Sequence, residues 1–176
     1  VPEIVLSNGS LGGQLPTSRI PTGSAANQFG GRLTVGTGYA VTANTTINQP
    51  AILNIQTGAQ LMVNAGQTLT LNTTSSPATG TGTGTIQAQD NTAIVSLGNG
   101  FNGSILPGAL FATPFAGQLI IPSMGLNQTG NITMGVSSIL LMNGNLTVNA
   151  GSTLTLNGGV NSLQSGGGLL NGSNNL

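Results

Sequence analysis

Apolar residues return along this chain in pairs that flank one polar position, and the pairs recur every eight residues. Leu53/Ile55, Leu61/Val63 and Leu69/Leu71 set the rhythm, and Leu146/Val148 and Leu154/Leu156 repeat it. Such alternation is that of a short strand with one buried face. Between the pairs stand Thr57-Gly58, Ala65-Gly66 and Ala150-Gly151. These are turn positions, where glycine accepts backbone angles that other residues resist. Asn-Gly dipeptides at Asn8, Asn99, Asn102, Asn143, Asn157 and Asn171 add turn signals. No segment carries a helical period. The pattern predicts an all-β chain of short strands and tight turns.

A longer repeat overlies the short one. Leu61-Met62-Val63-Asn64-Ala65-Gly66-Gln67-Thr68-Leu69-Thr70-Leu71-Asn72 returns 85 residues later as Leu146-Thr147-Val148-Asn149-Ala150-Gly151-Ser152-Thr153-Leu154-Thr155-Leu156-Asn157. A weaker match extends it to residues 47–72 and 132–157. Even spacing and small turns favour a β-solenoid or β-helix-like coil, each short strand forming one side and stacking on the next coil. The alternative is a β-sandwich or jelly roll with strand exchange. The chain divides into an extended N-terminal arm (1–40), a first β repeat (41–85), an irregular insertion or cap (86–125), and a second β repeat with a Gly/Asn-rich tail (126–176). The arm contains three prolines and short strands at Glu3–Leu6 and Arg32–Val35. The insertion holds Phe101, Phe111 and Phe115. The low-complexity run Thr79–Thr85 reads as a loop or a plain edge strand.

Charge changes the functional picture more than the structural one. The 176 residues carry four charges, Arg19, Arg32, Glu3 and Asp90, and no Lys, His, Cys or Trp. Hydrophobic residues make up 38%, so the chain has the material for a core and the opposite balance to a disordered segment. Two arginines do not neutralise a run of phosphates, which argues against nucleic acid as partner. No apolar run approaches the roughly 18 residues of a membrane helix, so membrane insertion is not expected. Zero net charge removes the repulsion that keeps folded proteins apart.

The same composition leaves catalysis little to work with. Only Glu3 and Asp90 are acids, and acid–base hydrolysis needs two at a set separation. Nucleophilic triads and transition-metal sites lack their His and Cys. Asp90-Asn91-Thr92 is a minimal hint of a calcium loop and reads better as a turn. No catalytic, cofactor-binding or metal-binding residue is assigned, no cofactor is expected, and the chain is not read as an enzyme. Asn-x-Ser/Thr sequons stand at Asn8, Asn44, Asn72, Asn102, Asn127, Asn131, Asn145 and Asn171. They are candidate glycan carriers, and chance alone supplies several in so Asn- and Thr-rich a chain. Thr-x-Thr at Thr68/Thr70 and Thr153/Thr155 is either ordinary β propensity or part of a flat ice-binding array.

The motif Leu61–Asn72 and its copy Leu146–Asn157 resemble the degenerate repeats of secreted bacterial surface proteins: autotransporter passengers, filamentous adhesins and related β-helix proteins. The resemblance covers about a third of the chain. It implies export, an extracellular or cell-surface location and a scaffold or adhesive role, and it supplies no catalytic residues. Together with zero charge it leads to a structural subunit of a self-assembling filament or surface layer, with copies of itself as partner. Natural sheets blunt their edges with Lys or Pro, and these edges are mostly bare. Glu3, Ile4, Val5 and Leu6 at one end and Leu169 and Leu170 at the other are the candidate assembly strands, joining copies by strand addition or by stacking of coils. The alternative is an adhesin or carbohydrate-binding β-domain.

Overall fold

The computed structural model describes residues 3–6, 10–11, 32–75, 84–157, 163–168 and 170–172. The chain is an all-β solenoid of parallel stacked coils. Every strand pairing among the described residues is parallel, which leaves no place for the antiparallel hairpins of the sandwich alternative. Parallel neighbours need a crossover between them, and here the crossover is the rest of the coil.

Each coil has three sides. On the first, residues 45–48, 68–72, Ile94–Leu97, Gln118–Ile121, Ile139–Met142 and Leu163–Ser165 lie one above another. On the second, Glu3–Leu6, Arg32–Val35 and residues 52–55 form the lower part. Ile105–Pro107, Leu126–Thr129, Leu146–Val148 and Leu170–Gly172 form the upper part. On the third, Ser10–Leu11, Ala40–Val41, Gln60–Val63 and Thr85–Ala88 stack, then Phe111 and Phe115 bridge to Ile86 and Met134, and Ile132–Met134 pairs with Leu154–Leu156. The long strand Thr45–Ile55 serves two sides, with a break in register between Asn48 and Ile52.

The eight-residue rhythm is one side of the coil. Leu53/Ile55 belongs to the second side, Leu61/Val63 to the third and Leu69/Leu71 to the first. Three such sides make 24 residues, which is the offset between Thr45 and its register partner Leu69. The apolar member of each alternating pair points inward. Leu53, Ile55, Leu61, Val63, Leu69 and Leu71 are all 0% exposed, and each fully buried aliphatic side chain contributes about 1.5–3 kcal/mol.

Residues 86–125 do not stand apart as an insertion or cap. Strands Thr85–Ala88, Ile94–Leu97, Ile105–Pro107 and Gln118–Ile121 pair with strands of the same stack. Phe101, Phe111 and Phe115 lie inside the coil, Phe111 and Phe115 in an edge-to-face contact at 5.5 Å. The rhythm is lost here because 3-10 turns at Phe101–Ser104 and Gly108–Leu110 replace two-residue corners and large rings take the interior volume. Strands Glu3–Leu6 and Arg32–Val35 have the expected bounds and pair with each other, so they are part of the stack and not an arm beside it. Most of the run Thr79–Thr85 lies outside the described residues, and Thr85 opens the strand Thr85–Ala88.

Candidate assembly surface

The corners are held by polar side chains that reach from one coil to the next. Asn44 Oδ1 accepts from the Thr68 amide at 2.9 Å, and Asn131 Oδ1 accepts from the Thr153 amide at 3.0 Å. Asn72 Nδ2 donates to Asn48 Oδ1 at 2.8 Å. The Gly66 amide donates to Thr92 Oγ1 at 2.8 Å, and that hydroxyl donates to Asp90 Oδ1 at 2.6 Å. Thr92 also gives its backbone amide to Asp90 Oδ1 at 2.8 Å. Hydrogen bonds from the Thr92 hydroxyl and then the Thr92 amide hold the Asp90 carboxyl below its ordinary pKa. Asp90 thus ends an inter-coil relay at an Asx turn. Among the described residues no three His, Cys, Asp or Glu side chains gather into a metal-binding group.

Among the described residues, Thr34, Thr45, Asn54, Asn102, Gln128 and Ser138 are buried polar side chains, and Gln128 is the deepest. Gln128 is 0% exposed, and its Nε2 donates to Gly130 O and to Thr153 O, both at 2.9 Å. Its Oε1 has no protein partner, and neither has Oδ1 of buried Asn54. Gln128 holds an inward position of a Leu-x-Gln pair, directly under Val148. The alternation of Leu126–Thr129 marks that position, although sequence reading did not single it out.

The sequons fall into distinct environments. Asn44, Asn127, Asn131 and Asn145 are exposed. Asn102 is buried, 8% exposed, with a φ of 44°. Asn72 is spent on Asn48 and lies beneath Gly98, where an added Cβ would collide with its Oδ1. Asn171 sits in the strand Leu170–Gly172, and Asn8 lies outside the described residues. The two Thr-x-Thr motifs do not form one array. Thr68/Thr70 belongs to the first side and Thr153/Thr155 borders and enters the third. The first-side threonine column is Thr46 and Thr70, followed by Ser96.

The candidate assembly strands occupy the two ends. Among the described residues, Glu3–Leu6 is the first strand of its sheet and pairs on one edge only, with Arg32–Val35. Val5 in it is 56% exposed. Among the described residues, Leu170 opens the last strand of its sheet and that strand is paired with Leu146–Val148 alone; Leu169 lies outside the described residues. Both strands lie on the second side and run in the same direction. Glu3 is the register partner of Arg32, which sets two of the chain's four charges on neighbouring strands at this end.

A feature that sequence reading missed lies on the first side. Its outward column runs Thr46, Thr70, Ser96, Ile120 and Leu141. Beside it, Thr68 is followed by Ile94, Gln118 and Ile139. The outward surface therefore changes from hydroxyls to branched aliphatics up the stack. Its signal is the unbroken apolar runs Leu119-Ile120-Ile121 and Ile139-Leu140-Leu141-Met142, where other strands alternate.

Compared with family models, with curated proteins and with solved structures, the chain matches none. Among the described residues, no helix is long and apolar enough to cross a membrane.

Proposed function

We propose that the chain is a structural subunit of an extracellular self-assembling filament or surface layer, in which copies add coil upon coil. The carrying observation is the match of the two described end strands. Glu3–Leu6 and Leu170–Gly172 share a side and a direction, so a second copy placed end to end continues the second-side sheet without reversing it. Such a contact is heterologous and propagates without closing. Unpaired parallel edges are templates for exactly such addition by another chain, and a net charge of zero offers no repulsion against it. The extracellular location rests on the resemblance to secreted repeat proteins and on a surface with few groups that titrate. The carbohydrate-binding alternative draws no support from Phe101, Phe111 or Phe115, which are buried in the coil.

Electron microscopy and fibre diffraction of the purified full chain test the reading. Parallel strands stack about 4.8 Å apart, and eight of them stack from Glu3–Leu6 to Leu163–Ser165, so a subunit gives an axial repeat of about 38 Å alongside a 4.8 Å meridional reflection. Monodisperse single particles at every concentration, pH and salt tried are the result that removes it.

A further inference from the structure

The outward aliphatic stripe on the first side has no occupant in the filament contact just proposed, which uses the ends of the stack. We infer that this stripe, Ile94, Ile120, Ile139 and Leu141, is a lateral contact with the same stripe on a second copy of the chain, pairing neighbouring filaments side by side. This rests on the filament reading for its consequence, bundling, but not for the contact itself.

Three observations select a second copy as the occupant. The stripe is contiguous: Ile120 is the register partner of Leu141, and Gln118 joins Ile94 to Ile139. All four aliphatic side chains are half-buried, while the inward Val95, Leu119, Ile121 and Leu140 are at most 1% exposed. Next, the first-side strands 45–48, 68–72, Ile94–Leu97, Gln118–Ile121, Ile139–Met142 and Leu163–Ser165 contain no charged residue. A partner of opposite charge has nothing there to read, whereas an identical uncharged patch meets itself across a two-fold axis without like-charge repulsion.

Area gives the third argument. Three strands of four residues cover about 14 by 13 Å at ordinary strand spacing and rise, roughly 200 Å² against the roughly 800 Å² per partner of a stable interface. One stripe is too small for a lasting dimer. Repeated once per subunit along a filament it becomes multivalent, and weak contacts then hold through effective concentration. The stripe thus gives free chains a brief encounter, which a cross-linker can trap, and assembled chains a lasting contact.

The chain has no cysteine, so single reporters are clean. Ser96→Cys lies on the first side beside Ile120, and Thr147→Cys lies on the second side. With a short bis-maleimide, the free full chain carrying Ser96→Cys is expected to form covalent dimers about ten-fold faster than the chain carrying Thr147→Cys. Adding Ile120→Thr should bring the first rate down to the second. Leu141→Gln, which copies the next residue of its column, Gln164, should do the same if Ile120→Thr disturbs folding. By microscopy the same substitutions should turn bundles into single filaments of unchanged length. Equal rates at the two reporters, or rates and bundles indifferent to both substitutions, overturn the lateral contact. The cross-linking is read on free chain, so it fails or succeeds whether or not filaments form.

Discussion

Residues 61–72 and 146–157 are nearly the same sequence, and the coil uses them at different corners. The first copy runs from the third side, where Gln60–Val63 lies between Ala40–Val41 and Thr85–Ala88, into the first side. The second runs from the second side, where Leu146–Val148 lies between Leu126–Thr129 and Leu170–Gly172, into the third. Locally they fold alike. Gln67 N donates to Asn64 O and Ser152 N to Asn149 O, both at 3.0 Å, and Gly66 and Gly151 hold φ of 70° and 78°. Burial separates them. Leu69 and Leu71 are 0% exposed, with strands above and below, whereas Leu154 and Leu156 are only partly buried against the core. Among the described residues their strand pairs with Ile132–Met134 alone. The motif therefore encodes one side and one corner. What stacks on it decides how much that side is worth.

The largest test of this comparison is truncation of matching leucines. Leu69→Ala should cost about 2–5 kcal/mol, the range for a filled interior site. Leu154→Ala, at the matching place in the motif, should cost about half as much, because less surface is lost and no described coil above is left with a void. Urea midpoints of the two variants, read with the slope as a check on cooperativity, measure the gap. Equal losses would show that burial at Leu154 is completed by contacts other than the described stack. Next in size is the corner glycine. Gly66→Ala and Gly151→Ala meet open space within 4 Å, so the penalty is that of a left-handed residue bearing a Cβ, about 1–2 kcal/mol. It should be the same at both sites, since the corners are alike while their surroundings differ.

That split between local and stacked information explains what the sequence revealed. The strands, the turn glycines and the eight-residue side were legible because each is local. The 85-residue repeat was equally visible but is not a whole number of 24-residue coils. It carries a third-side strand to a second-side position, so it suggested two repeat domains where there is one continuous stack. Thr68/Thr70 and Thr153/Thr155 looked like one array for the same reason. Residues 86–125 were illegible because the interior asks only for apolar volume. Phe101 and Phe111 supply that volume without the Leu-x-Leu signature, and 3-10 turns lengthen the corners. Of the candidate assembly surface, the end strand Glu3–Leu6 was legible as a short apolar segment. The lateral stripe was not, since only stacking shows that Ile120 and Leu141 share a column.

Residues 134–138 make a third corner between the third and first sides, and here the comparison sharpens. Ser137 takes the place that Gly66 holds in the first copy, with φ 71°. The residue before it, Val136, is 79% exposed. Ser137→Gly should therefore stabilise the chain by somewhat under about 1 kcal/mol, the left-handed strain relieved less the greater entropy that glycine loses on folding. A shift of the urea midpoint upward with unchanged slope is the expected result. A downward shift would mean that the serine side chain contributes more at this corner than its backbone costs.

The smallest effect concerns what ties each corner to the coil above or below. At the first copy, the Gly66 amide is held by the Thr92 hydroxyl, which is itself held by Asp90. At the second copy the tie is neutral: Ser152 Oγ accepts from the Gly130 amide at 2.8 Å. The Asp90 carboxyl titrates below its ordinary value because Thr92 donates to it twice, so the folded state favours the carboxylate. Its contribution is present above the ordinary aspartate pKa of about 3.9. It is lost as pH falls through the lower folded value. The group is exposed, and the loss is small. On acidification below about pH 4, the Gly66 amide should shift and lose protection relative to its intrinsic exchange rate, while the Gly151 amide does neither. Asp90→Asn should abolish the pH response at Gly66 and leave the rest of the coil unchanged. If both glycine amides respond together, acid acts on the stack as a whole, and the two corners are not tied independently.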